Sequence, residues 1–170
     1  MTINTNGYVC FGENEDCGNL KRPSPHDLMI GLNYDLDTTR NGSGQIYYQN
    51  LNNLSTKLTP FLYVNLLNTL FVPENVFMIT FDNVLPFGNS NSRISFQIFL
   101  LTDSIKPYVT FKYTSCPNDL TVLASSGLNY NNDRKLEEFL IGYYQECTSS
   151  NVKQDGIWVI EVNNYLLGIH

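Results

Sequence analysis

Apolar and polar residues alternate along much of this chain with a period of two, the spacing of a β-strand that buries one face. Arg93-Ile94-Ser95-Phe96-Gln97-Ile98 alternates cleanly, then runs apolar through Phe99-Leu100-Leu101. Tyr108-Val109-Thr110-Phe111-Lys112-Tyr113 sets Val109, Phe111 and Tyr113 on one face and Thr110 and Lys112 on the other. Val76-Phe77-Met78-Ile79-Thr80-Phe81 reads as a strand buried on both faces, and Trp158, Ile160 and Val162 alternate against Glu161. Weaker strands are expected at Gly7–Phe11, Met29–Tyr34 and Gln45–Gln49, the last rich in β-forming residues. Pro86–Ser92 and Asp103–Pro107 read as turns, so the three central strands should form an antiparallel meander. The βαβ alternation that a parallel sheet needs is missing.

Two stretches have helical spacing instead. Thr59-Pro60 offers an N-cap and a first-turn proline ahead of Phe61, Leu62, Asn65, Leu66, Thr69 and Leu70. Phe-Leu-Tyr-Val within it also suits a strand, and helix is the favoured reading. A short helical turn is expected around Arg134–Leu140, with Leu136, Phe139 and Leu140 inward. The expected fold is mainly β (α+β), an antiparallel sandwich-like sheet core with one or two short helices, in a single domain over residues 1–170.

Composition narrows the function. Hydrophobic residues make up 42% of the 170, ample for a core, while charged residues reach only 15%, below the usual quarter or so. Asn, Ser, Thr and Gln must supply the polar surface. Net charge is −6 and the ten Lys and Arg are scattered, which argues against nucleic acid as a partner. No apolar run approaches the length of a membrane span, so the domain should not insert. Met1-Thr-Ile-Asn has no leader character, so if the protein is secreted its leader is expected outside these residues.

Cys10, Cys17, Cys116 and Cys147 form no CxxC, and with only two His the spacing suits zinc poorly. Two disulfides in an oxidising compartment fit better; four buried thiols are the alternative. Three connectivities are open. Cys10–Cys17 across a short polar loop, with Cys116–Cys147 joining two strand ends, is the expected pairing. Asn41-Gly42-Ser43 and Asn53-Leu54-Ser55 are candidate N-glycosylation sites in polar stretches, consistent with an extracellular address.

Read in order, the pieces resemble the nidogen-like (NIDO) domain of nidogen, membrane mucins and tectorin-like proteins. Asn6-Gly7-Tyr8-Val9-Cys10-Phe11-Gly12 resembles its opening strand. Asp35-Leu36-Asp37 and Gly44-Gln45-Ile46-Tyr47-Tyr48 are similar to its Asp-x-Asp and Gly-x-x-Tyr-Tyr elements. Ile79-Thr80-Phe81-Asp82-Asn83-Val84 looks like its Thr-Trp-Asp-x-Val strand, with Phe81 in place of Trp. Ser95–Asp103, Val109–Tyr113, Gly127-Leu128-Asn129-Tyr130 and Ser150-Asn151-Val152…Gly156-Ile157-Trp158 match later elements in sequence. The resemblance implies an adhesion or matrix setting in a secreted or membrane-anchored protein. It brings no catalytic residues to transfer.

Candidate chemistry is sparse. His26-Asp27 could suggest an acid/base pair, but reads better as a loop, and no Gly-x-Ser-x-Gly, Walker or GxGxxG pattern is present. Asp35 and Asp37, two apart on a strand, could bind Ca²⁺ with Asn33 and Asn41; turn and strand-end hydrogen bonding is the favoured reading. Tyr47-Tyr48 and Tyr143-Tyr144 could form a platform for sugar or protein, against ordinary packing as the favoured role. The expectation is a non-enzymatic module without cofactor or metal, binding extracellular protein partners, with glycans as a further class. A Ca²⁺-assisted carbohydrate-binding module is the alternative, ahead of a secreted hydrolase.

Overall fold

A computed structural model describes residues 1–11, 18–19, 22–23, 28–32, 35–51, 71–88, 92–103, 105–115, 125–132, 135–142 and 147–162. In chain order the strands are β1 (Thr2–Asn4), β2 (Tyr8–Phe11), β3 (Gly18–Asn19), β4 (Arg22–Pro23), β5 (Leu28–Leu32), β6 (Leu36–Asp37) and β7 (Gln45–Asn50). They continue with β8 (Asn75–Pro86), β9 (Ile94–Thr102), β10 (Pro107–Ser115), β11 (Ser125–Asn132), β12 (Lys135–Gly142) and β13 (Ile157–Glu161). The first sheet runs β1-β2-β5-β11-β12; the second runs β13-β10-β9-β8, with β6 and β7 both pairing β8; β3 and β4 form a separate short ladder. Every ladder is antiparallel. The expected meander is β8-β9-β10.

The main core lies between the two sheets. Val9, Ile30 and Leu32 from the first meet Ile79, Phe81, Phe96, Ile98, Val109, Phe111, Trp158 and Ile160 from the second. That arrangement is sandwich-like. At its centre the Phe81 and Phe96 rings stack 4.5 Å apart and 5° from parallel, and Tyr113 stacks on Phe96 at 5.7 Å. A smaller core covers part of the second sheet's outer side, where Val76, Phe99, Leu101, Tyr108, Ile157 and Val159 pack with Leu51, Phe71 and Val152. β8 is therefore buried on both faces, as its near-continuous apolar run predicts. Thr110, expected on the polar face of β10, is fully buried on this outer side.

Among the described residues no helix occurs. The helix expected over Thr59–Leu70 lies outside them. The helical turn expected around Arg134–Leu140 is corrected: residues 135–142 are strand β12, paired with β11 from Ser125↔Gly142 to Asn132↔Lys135. Three apolar residues at helical spacing make barely one turn, too little to repay helix nucleation. A ladder eight residue pairs long supplies backbone hydrogen bonds that the local sequence could not reveal.

Candidate functional site

Several motifs behind the family resemblance lie in regular ladders, and others sit where the backbone departs from one. Asp37 ends β6, and its Oδ1 accepts hydrogen bonds from the Thr39 hydroxyl (2.8 Å), the Thr39 N–H (3.0 Å) and the Arg40 N–H (3.2 Å). The Thr39 hydroxyl first and the Thr39 amide next lower its pKa; desolvation opposes them, and the Arg40 amide and charge add smaller lowering effects. Asp35 is exposed, and its carbonyl accepts the Phe87 N–H. Buried Leu36 lies between the two carboxylates. The Asp-x-Asp element thus closes a turn. Asn33 lies outside the described residues, and no cluster of three His, Cys, Asp or Glu suited to a metal occurs among the described ones.

The next loop is fastened to a bulge in β8. The register with β9 shifts between Phe81 and Val84, and Asn83 takes a left-handed φ of 59°, a conformation Asn tolerates better than most residues. The Arg93 guanidinium donates to the carbonyls of Gly42 (2.6 Å) and Asn83 (3.2 Å), while the Gly44 N–H donates to Asn83 O. A Cβ on Gly44 would collide with the Asp82 carbonyl. Asn83 N–H in turn donates to Ser95 Oγ, and Leu85 N–H to Ser43 Oγ. Asn41, the first candidate glycosylation site, is exposed on this loop.

At the other side of the sheet, the Asn151 amide acts as a miniature strand beside β13. Its Oδ1 accepts the Val159 N–H at 2.9 Å, and its Nδ2 donates to the Val159 carbonyl at 2.6 Å. Ser150 Oγ accepts the N–H groups of Val152 and Gln154, and Gly156 (φ 77°) lets the chain pass against the Tyr113 carbonyl. Asp103 Oδ1 likewise takes the Ile105 and Lys106 amides in the turn between β9 and β10.

β7 is different. Gln45-Ile46-Tyr47-Tyr48-Gln49-Asn50 carries no charge, and five of its six residues are exposed. Only Ile46 packs on the main core. Tyr47 is 52% exposed, with its hydroxyl donating to Gln45 Oε1; Tyr48, on the opposite face, is 71% exposed and stacks on Phe77 at 6.1 Å. On the outer side, Tyr47 heads a cross-strand row through Thr80, Gln97 and Lys112, in which Gln97 Nε2 donates to Thr80 Oγ1. The exposure of the tyrosines corrects the expectation of core packing for this pair, while the stack of Tyr48 on Phe77 is cross-strand packing of the expected kind. Tyr143 and Tyr144 lie outside the described residues, as do His26, Asp27 and Asn53.

Cys10 is buried and Cys147 half-buried; both are disulfide-bonded, and neither is a free thiol. Cys17 and Cys116 lie outside the described residues, and with them the expected pairing.

The described residues thus form an antiparallel β-sandwich in which polar residues fasten turns, a bulge and an edge, with two exposed tyrosines on a charge-free strand. The nidogen-like domain model matches residues 1–164, and the chain belongs to that family. Nidogen-like domains occur in extracellular proteins, and at that coarse level this is an extracellular adhesion-type module. Comparison with curated proteins found no match, nor did comparison with solved structures.

Proposed function

We propose that this chain is a non-enzymatic interaction module of a secreted or membrane-anchored protein. It binds extracellular protein partners through the β7 side of the second sheet. The observation that carries this reading is the exposure of Tyr47 and Tyr48 on a strand without charge, in a chain of net charge −6. Tyrosine offers broad, stiff apolar area with a polar tip, and is enriched among residues that dominate protein interfaces. A charge-free strip also spares the partner the cost of desolvating ions. Membership of the nidogen-like family supports the matrix or cell-surface setting. Glycans at Asn41 and Asn53 and two disulfides belong to the same proposal.

Carbohydrate binding assisted by Ca²⁺ is the weaker reading, because Asp37 would have to loosen three local hydrogen bonds to serve a cation. Binding of the purified domain to intact animal cells separates the two. Stripping surface protein with trypsin should abolish binding, while EDTA and glycosidase treatment should leave it. Binding that survives trypsin and is lost in EDTA would overturn the proposal in favour of the carbohydrate reading.

A further inference from the structure

At the end of the sandwich where β8 begins, β9 ends and β10 begins, an apolar cavity of about 330 Å³ opens between the sheets. We infer that it is a binding site for a single-chain amphiphile with an uncharged head group, beside the β7 contact surface: Asn50 of β7 and Phe77, on which Tyr48 stacks, both line it.

The register of the second sheet shows how such a ligand would lie. Phe77, Leu100 and Val109 face each other across β8, β9 and β10 and form one wall, with Phe11 and Ile30 of the first sheet among the other lining residues. Phe77 and Leu100 point toward the main core yet are only half-buried, because the cavity replaces neighbours there. The next inward row, Ile79, Ile98 and Phe111, is fully buried in the main core and does not line the cavity. Two residues the other way on the same face, the row becomes Asn75, Thr102 and Pro107, while Asn50, at the end of β7, pairs with Phe77. The exposed amides of Asn50 and Asn75 and the half-buried Thr102 hydroxyl therefore lie at the open end of an otherwise aliphatic and aromatic slot.

Apolar space of this kind is poorly served by water, and leaving it empty forfeits packing on every wall. Its volume is roughly ten times a water's share of the liquid, suited to one slender chain. No charged side chain is among the described lining residues, and the protein is acidic overall. A carboxylate or phosphate would lose its hydration without gaining a Lys, Arg or His side chain among the described lining residues, whereas an alcohol, amide or glyceride head could exchange hydrogen bonds with the rim. The mouth is held in shape by backbone bonds of 2.8 Å from Leu51 to Val76, Glu74 to Thr102 and Val162 to Pro107, so little ordering would accompany binding.

Isothermal titration calorimetry of the oxidised full chain with monodecanoylglycerol, below the concentration at which it aggregates, tests the inference. The expected result is saturable binding of one molecule per chain, with decanoate at pH 7 weaker by roughly tenfold or more. Leu100→Trp, which fills the slot, should abolish binding with the melting temperature retained. Should that variant fail to fold, Thr102→Trp at the half-buried rim takes its place. Absence of saturable binding, binding unchanged in a folded slot-filling variant, or decanoate binding as tightly as the glyceride would each overturn the assignment.

Discussion

Asp37 illustrates how a residue that looks like a ligand can be occupied by its own chain. Its lowered pKa has a definite consequence for stability. The folded carboxylate releases its proton more readily than the unfolded one, so its contribution is present above the unfolded pKa and lost as pH falls through the folded value. Asp37→Asn should lower the melting temperature at pH 7, and the gap from wild type should close below about pH 4. A gap unchanged down to pH 2 would contradict this role. The glycines of the same region differ in kind. Gly44→Ala pushes a Cβ into the Asp82 carbonyl and should destabilise by about 3 kcal/mol in urea titrations. Gly88→Ala, with nothing near its added carbon, should cost only the strain of its left-handed φ of 75°, about 1–2 kcal/mol.

Among the elements, those whose pattern is written in side-chain alternation are legible in the chain itself: β8, β9, β10 and β13 fall within a few residues of their expected bounds. What alternation misses is pairing between distant segments. Ser125–Asn132 has no β-branched residue at all, yet forms β11 between β5 and β12. Its Gly127↔Gly31 pairing reflects contacts no local propensity encodes. The same blindness to distant partners lies behind the helical reading of β12. Asn151 is a further case: Ser-Asn-Val carries the family resemblance, but only the fold reveals its amide as a stand-in strand for Val159. Asn151→Ala should cost about 1–3 kcal/mol, because it leaves a part-buried N–H and carbonyl without their partners. Asn151→Asp, which keeps one acceptor and loses the donor, should fall between. Equal stability of all three proteins would refute the bracing role.

At the scale of the whole molecule, the described polar signature residues Asp37, Asn83, Asp103 and Asn151 are taken up in fastening turns, a bulge and an edge. This is why the candidate site is only half legible in the sequence. Tyr47 and Tyr48 can be named from the chain, but whether they pack or project depends on how far β7 stands out from the core. The disulfides act at the same scale. Peptide mapping of non-reduced protein should yield Cys10–Cys17 and Cys116–Cys147, and reduction should cost about 2–5 kcal/mol; a peptide joining Cys10 to Cys116 would refute the pairing. The account's central claim is that protein partners are held through β7. It is tested most directly by the affinity of wild type and Tyr47→Ser/Tyr48→Ser for trypsin-sensitive sites on intact cells, with both proteins matched in melting temperature. The account predicts a loss of tenfold or more in the double variant, about 1.4 kcal/mol or greater. Equal affinity of the two proteins would contradict it.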